Sequence, residues 1–152
     1  MMILGTILAG VTGTVMMTLS MATIHHAGLA KANMVRALGS RITGKWDGAI
    51  KVGLVFHLTT GIIFAFPYVL VLGGIDVPSN ILRVVIGAVI GFIHGFVMSF
   101  ILVAAVAEKH PIEQFREAGF EVAAAHILGH IAYGIGVALM TSFLSLDLGF
   151  RF

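Results

Sequence analysis

Four histidines carry the residue chemistry of this chain: His57, His94, His126 and His130. Each sits well inside a long apolar run, and no Asp, Glu, Lys or Arg lies as deep. Ionisable groups in such runs are expensive and are candidates for function by default. His126 and His130 are four residues apart, so they share one face of a helix, which Tyr133 and Val137 continue. Two imidazoles at that spacing can chelate one metal ion, and a third from His94 or His57 would complete a facial set. Neutral imidazole suits zinc, copper, iron or nickel. A b-type haem is the alternative cofactor. It needs two histidines on facing helices and small residues that admit the ring, as His94 between Gly91 and Gly95 would offer opposite His130. The structural alternative is polar glue, each imidazole bonding a hydroxyl or carbonyl of a neighbouring helix, with Thr59, Thr60, Ser99 and Tyr133 as available partners.

The remaining histidines, His25, His26 and His110, fall at the ends of the apolar runs and read as interfacial polar residues. Met16, Met17, Met21 and Met98 would suit copper(I) by softness, but methionine is also a common filler of apolar cores.

The elements that must position these side chains follow from composition. Of 152 residues, 59% are hydrophobic and 11% charged, with a mean hydropathy of +1.06. A soluble domain carries about twice that charge, and a globule of this size could not hide so much apolar surface. Soluble enzymes, nucleic-acid binders and disordered chains are thereby excluded, and an all-α polytopic membrane protein is expected. The chain has no cysteine, which removes disulfides, thiolate metal sites and cysteine nucleophiles.

Four segments are long enough to cross a bilayer: about 2–24, 51–72, 81–107 and 120–146. They are continuously apolar and do not alternate, so they form helices and not a barrel. One membrane domain, a four-helix bundle over residues 1–152, is expected. Residues 1–5 lack a basic flank and a cleavage signal, and read as part of the first helix. Seven of the nine basic residues lie at the first and third connections: Lys31, Arg36, Arg41, Lys45, Lys51, Lys109 and Arg116. The positive-inside rule then places loops 25–50 and 108–119 in the cytoplasm and both termini outside an inner cell membrane. Residues 29–38 can form a short basic helix on the inner leaflet, with Trp46 as an interfacial anchor. In the later loop Pro111 and Glu113 suit a helical first turn, with Arg116 placed to pair with Glu113.

Small residues recur at four-residue spacing: Gly5, Ala9 and Gly13; Gly53, Gly61 and Ala65, with His57 in the same register; Gly87, Gly91, Gly95 and Ser99; Ala125 and Gly129, with Ala132 and Gly136 beside them. Such stripes let backbones approach closely, within the chain or against a partner. Pro67 is expected to kink the end of the second span. No phosphate-binding loop, serine–histidine–acid set or midplane carboxylate is visible, so no catalytic constellation is expected.

Three stretches carry a family likeness: residues 10–18 (GVTGTVMMT), residues 108–111 with Phe115 and Arg116, and residues 126–134 (HILGHIAYG). Together they resemble small four-helix prokaryotic integral membrane proteins of the domain-of-unknown-function type. The resemblance implies the four-span topology and carries over no catalytic residue.

Two functions are compatible with these features. One is an accessory or scaffold subunit of a larger membrane assembly or homo-oligomer, with glycine stripes as contact faces. The other is a membrane protein that binds a transition metal or haem b through His57, His94, His126 and His130 and serves electron transfer or metal handling.

Overall fold

A computed structural model describes residues 2–117 and 119–145. It is all-helical. The order is α1 (Met2–His26), α2 (Met34–Thr43), α3 (Ala49–Gly74), α4 (Asn80–Ile101) and α5 (Phe120–Phe143). A π-helical turn, Leu102–Ala107, extends α4, and a 3-10 turn, Glu113–Phe115, precedes α5. Helices α1, α3, α4 and α5 are each long and apolar enough to cross a membrane. Large side chains such as Val55, Ile63, Phe92, Ile93, Phe96 and Phe100 point outward and are more than half or nearly half exposed. That surface fits a lipid environment, in which every backbone group must be bonded within a helix.

The four expected spans correspond to these helices, with two adjustments at their ends. The third span changes from α to π geometry after Ile101. The fourth leaves α geometry at Phe143, and Leu146, Asp147 and Arg151 lie outside the described residues. Helix α3 continues through Pro67 to Gly74.

Local chemistry sets several boundaries. The Asn33 side chain accepts a hydrogen bond from the Arg36 amide at 3.4 Å and caps α2. Gly44 closes α2 in the left-handed region at φ 69°. Ser79 caps α4 by accepting from the Leu82 amide at 3.2 Å.

Neighbours do not follow chain order. Helix α5 is the centre, packed closely against both α1 and α4, and α1 also packs on α3. Helices α3 and α4 are joined by a short turn yet touch little. The close pairs are those whose small residues meet. A Cβ on Gly87 would land on the Gly134 carbonyl, and a Cβ on Gly134 would land on the Gly87 carbonyl. A Cβ on Gly91 would meet the His130 carbonyl, and one on Gly95 the His130 side chain and Ile127. Gly10 is pressed against Ile62 and Ala65, and Gly13 against Tyr133 and Val137. Packing of this kind drives helix association where lipid is as apolar as the helices.

The short basic helix forms later than expected, over Met34–Thr43 and not 29–38, and is only partly surface-bound. Met34, Ala37, Gly39 and Ser40 are buried. A Cβ on Gly39 would strike the Ala49 carbonyl, and one on Gly53 the Val35 carbonyl. These two glycines seat α2 against the first turns of α3.

Candidate functional site

The gap between α3 and α4 is a cavity of about 370 Å3. Helix α5 supplies His126, His130 and Tyr133 to its wall, α4 supplies His94 and Met98, and α3 supplies His57, Thr60 and Phe64. Thr14 and Met17 of α1 also line it, and Met34, Leu38 and Arg41 of α2 close its basic end. All four deep histidines therefore border one space. That space exists because the glycine stripes draw α4 onto α5 and α1 onto α3, leaving α3 and α4 apart.

The imidazoles are arranged in contact. His94 and His130 have ring centroids 4.6 Å apart with planes at 81°. His126 and His130 have centroids 4.5 Å apart. His126 and His130 are each 6% exposed. The Nδ1–H of His130 donates to the His126 carbonyl at 3.0 Å, which leaves Nε2 of the neutral ring as an acceptor. His94 Nδ1 and the Tyr68 hydroxyl share a hydrogen bond of 3.1 Å. Two ring nitrogens, His94 Nε2 and His126 Nδ1, are buried without a hydrogen-bond partner among the described residues. A buried polar atom left unpaired is costly, roughly 1–3 kcal/mol.

The polar partners differ from those expected. Tyr133 donates to the Gly61 carbonyl at 2.6 Å. Thr60 bonds the Phe56 and His57 carbonyls, and Ser99 bonds the Gly95 and Ala123 carbonyls. None of these hydroxyls serves a histidine ring. Tyr68 does, and its signal in the sequence is that it is the one strongly polar side chain in the second half of α3.

The expected cofactors meet different geometries. Among the described residues, no three or more His, Cys, Asp or Glu side chains stand as a set able to hold a metal ion. His130 spends Nδ1 on a carbonyl and His94 spends Nδ1 on Tyr68, so each offers only Nε2. A haem does not fit between His94 and His130. Their rings touch, so no porphyrin disk can stand between them, and the space beside Gly91 and Gly95 is filled by the α5 backbone. The methionines are split: Met17 and Met98 border the cavity, whereas Met21 packs on Gly129 and Met16 on Gly136.

His110 departs furthest from the sequence reading. It is fully buried, at 0% exposure, and not an interfacial surface residue. Its Nε2–H donates to the Ala37 carbonyl of α2 at 2.9 Å, and its Nδ1 accepts from the Ile112 amide at 3.0 Å. Phe115 packs on its ring edge, with centroids 5.0 Å apart. Arg116 Nε donates to the His110 carbonyl at 2.8 Å, in place of the expected pairing with Glu113. The ion pair in this loop is Lys31 with Glu117, at 3.6 Å and exposed. Such a pair adds little stability. His110 is thus the pin that fastens the later loop to α2, and α2 in turn closes the cavity.

Comparison with protein-family models, with curated proteins and with solved structures finds no match to this chain.

Proposed function

We propose that this chain is a membrane-embedded binding protein for a small lipophilic molecule with a hydrogen-bonding head, received in the cavity between α3 and α4. One observation carries the reading: His94 Nε2 and His126 Nδ1 are buried and unpaired beside a mainly apolar space of about 370 Å3. Pockets for small molecules are of this size and are apolar with a few convergent polar groups. With a small shift of the side chains that cover these two nitrogens, a ligand carbonyl or hydroxyl would supply the missing partners while its apolar body lies against Phe64, Met98 and Leu38. The glycine stripes, which suggested an accessory or scaffold subunit, are occupied within the chain and lend that role no support. The charge distribution supports an orientation in a cell membrane with both termini outside and loops 25–50 and 108–119 in the cytoplasm.

The test is solvent extraction and mass spectrometry of protein purified in mild detergent. A lipophile recovered in near-stoichiometric amount, and lost from H94L and H126L and from the cavity-filling M98F, supports the reading. Recovery of bulk lipid alone, unchanged in all three folded variants, refutes it.

Transition-metal binding by His57, His94, His126 and His130 is the second reading, favoured by the four imidazoles that border one cavity. The carbonyl bond at His130 Nδ1 is the kind of outer contact that orients a metal-binding imidazole. Elemental analysis for iron, copper and zinc decides it. Stoichiometric metal that falls in H130Q supports a shared site, and metal at background in folded protein removes it.

A further inference from the structure

A second cavity, also about 370 Å3, adjoins the first at Met34 and His57 and is bordered by the end of α1, by α2 and by the start of α3. Its polar wall is basic: Arg36, His25, His26 and His57, with Asn33 and Thr18 beside them. Its apolar wall includes Met21 and Leu54. No Asp or Glu borders it among the described residues. In two of these residues an atom behind the wall, Arg36 Nε and His25 Nδ1, is buried without a hydrogen-bond partner. Trp46 covers one face of the Arg36 guanidinium, whose carbon is 4.2 Å from the ring centroid, so the cation is held in place while its edge keeps its donors. The cavity sits where α1 ends and α3 begins, at the ends of two helices long and apolar enough to cross a membrane.

A fixed guanidinium and three imidazoles above an apolar wall match a phosphate group followed by acyl chain. Basic pockets between membrane helices bind anionic headgroups by this means, and arginine favours phosphate through its forked donors. We infer that this cavity is a phosphate-binding site for an anionic phospholipid, with Arg36 as its principal ligand and His25 as the second. The ligand chemistry is a phosphate oxyanion, which a lipid headgroup or a free phosphate could supply.

The chain offers its own reporter, because Trp46 is its single tryptophan and lies on Arg36. Whole protein in neutral detergent is titrated with phosphatidylglycerol, phosphatidylcholine and inorganic phosphate. Trp46 emission is followed, and lipid retained by the protein is counted by native mass spectrometry. Saturable binding of phosphatidylglycerol over phosphatidylcholine is expected, weaker by about tenfold in R36Q, the equivalent of one charge-assisted hydrogen bond. R36K should recover part of the binding, and H25Q should lose less than R36Q. Arg83, at the opposite end of the bundle, serves as the control, and R83Q should bind as wild type. Phosphatidylglycerol binding without an inorganic phosphate response identifies a lipid site. Response to both identifies a general phosphate site. Equal retention of the two lipids by wild type, with no response to phosphate, overturns the inference whether or not R36Q folds. So does R36Q that holds phosphatidylglycerol as tightly as wild type.

Discussion

The Tyr68 hydroxyl and His94 Nδ1, 3.1 Å apart, tie together two helices that otherwise barely meet. The bond closes one end of the gap between α3 and α4 and holds the His94 ring against His130. Tyr68 also packs edge-on against Tyr133, with centroids 5.2 Å apart, so its ring is fixed from the α5 side.

Removing that hydroxyl isolates the contribution of the bond. Y68F keeps the ring and its packing but leaves His94 Nδ1 without its partner. A loss of about 1 kcal/mol is expected, as for a single hydrogen bond between membrane helices. Reversible unfolding in mixed detergent micelles measures it. Y68F as stable as wild type would mean that the bond adds nothing to the closure of α3 on α4.

The glycine contacts predict a sharp contrast by position. G91L must push α4 away from the His130 carbonyl and should cost about 1–3 kcal/mol, the range for overpacking. G74A meets open space and should stay within about 0.5 kcal/mol of wild type. The same unfolding assay compares them. Equal stability of the two variants would contradict the close packing of α4 on α5.

His110 predicts a local effect. H110A takes one donor from the Ala37 carbonyl, which still accepts from Ser40, leaves the Ile112 amide without its acceptor, and should cost about 1–2 kcal/mol. The loss should be confined to the loop and α2. Amide exchange should rise at Ile112 and along Met34–Thr43, and protease should cut within 108–117 first. Exchange that rises uniformly through α4 and α5 would show His110 acting elsewhere.

Because the chain has no cysteine, single introduced thiols report orientation directly. D76C lies in the exposed turn between α3 and α4, and K45C in the exposed connection between α2 and α3. In intact cells a membrane-impermeant maleimide should label D76C. K45C should react only after the cells are permeabilised. The reverse pattern inverts the topology and would move the phosphate site to the outer leaflet.

Sequence and structure agree on what hydropathy controls. The spans were legible because the bilayer sets their length, and the His126–Tyr133 face because helical periodicity aligns it. The short turn between α3 and α4 does not make them close neighbours. Between apolar helices in lipid there is little hydrophobic preference for one neighbour over another, so steric fit at the glycines decides it. The seating of α2 depends on Gly39 and Gly53, which are 14 residues apart and show no joint pattern in the chain. The π turn after Ile101 has no residue signature either. His110 was misplaced because its partner, the Ala37 carbonyl, is a backbone group that any residue would offer. Tyr68 gave a signal, a buried hydroxyl in an apolar span, which called for a partner on another helix.

Gly87 and Gly134 each occupy the place where the other's side chain would go. A methyl group on either one parts the same two backbones. Once one has been replaced, the second has lost most of its reason to remain glycine. Substitutions at the two positions are therefore epistatic: the first carries nearly the whole penalty and the second adds little. Descendants of this chain should keep both glycines or relinquish both, and a lineage with only one should be rare and short-lived.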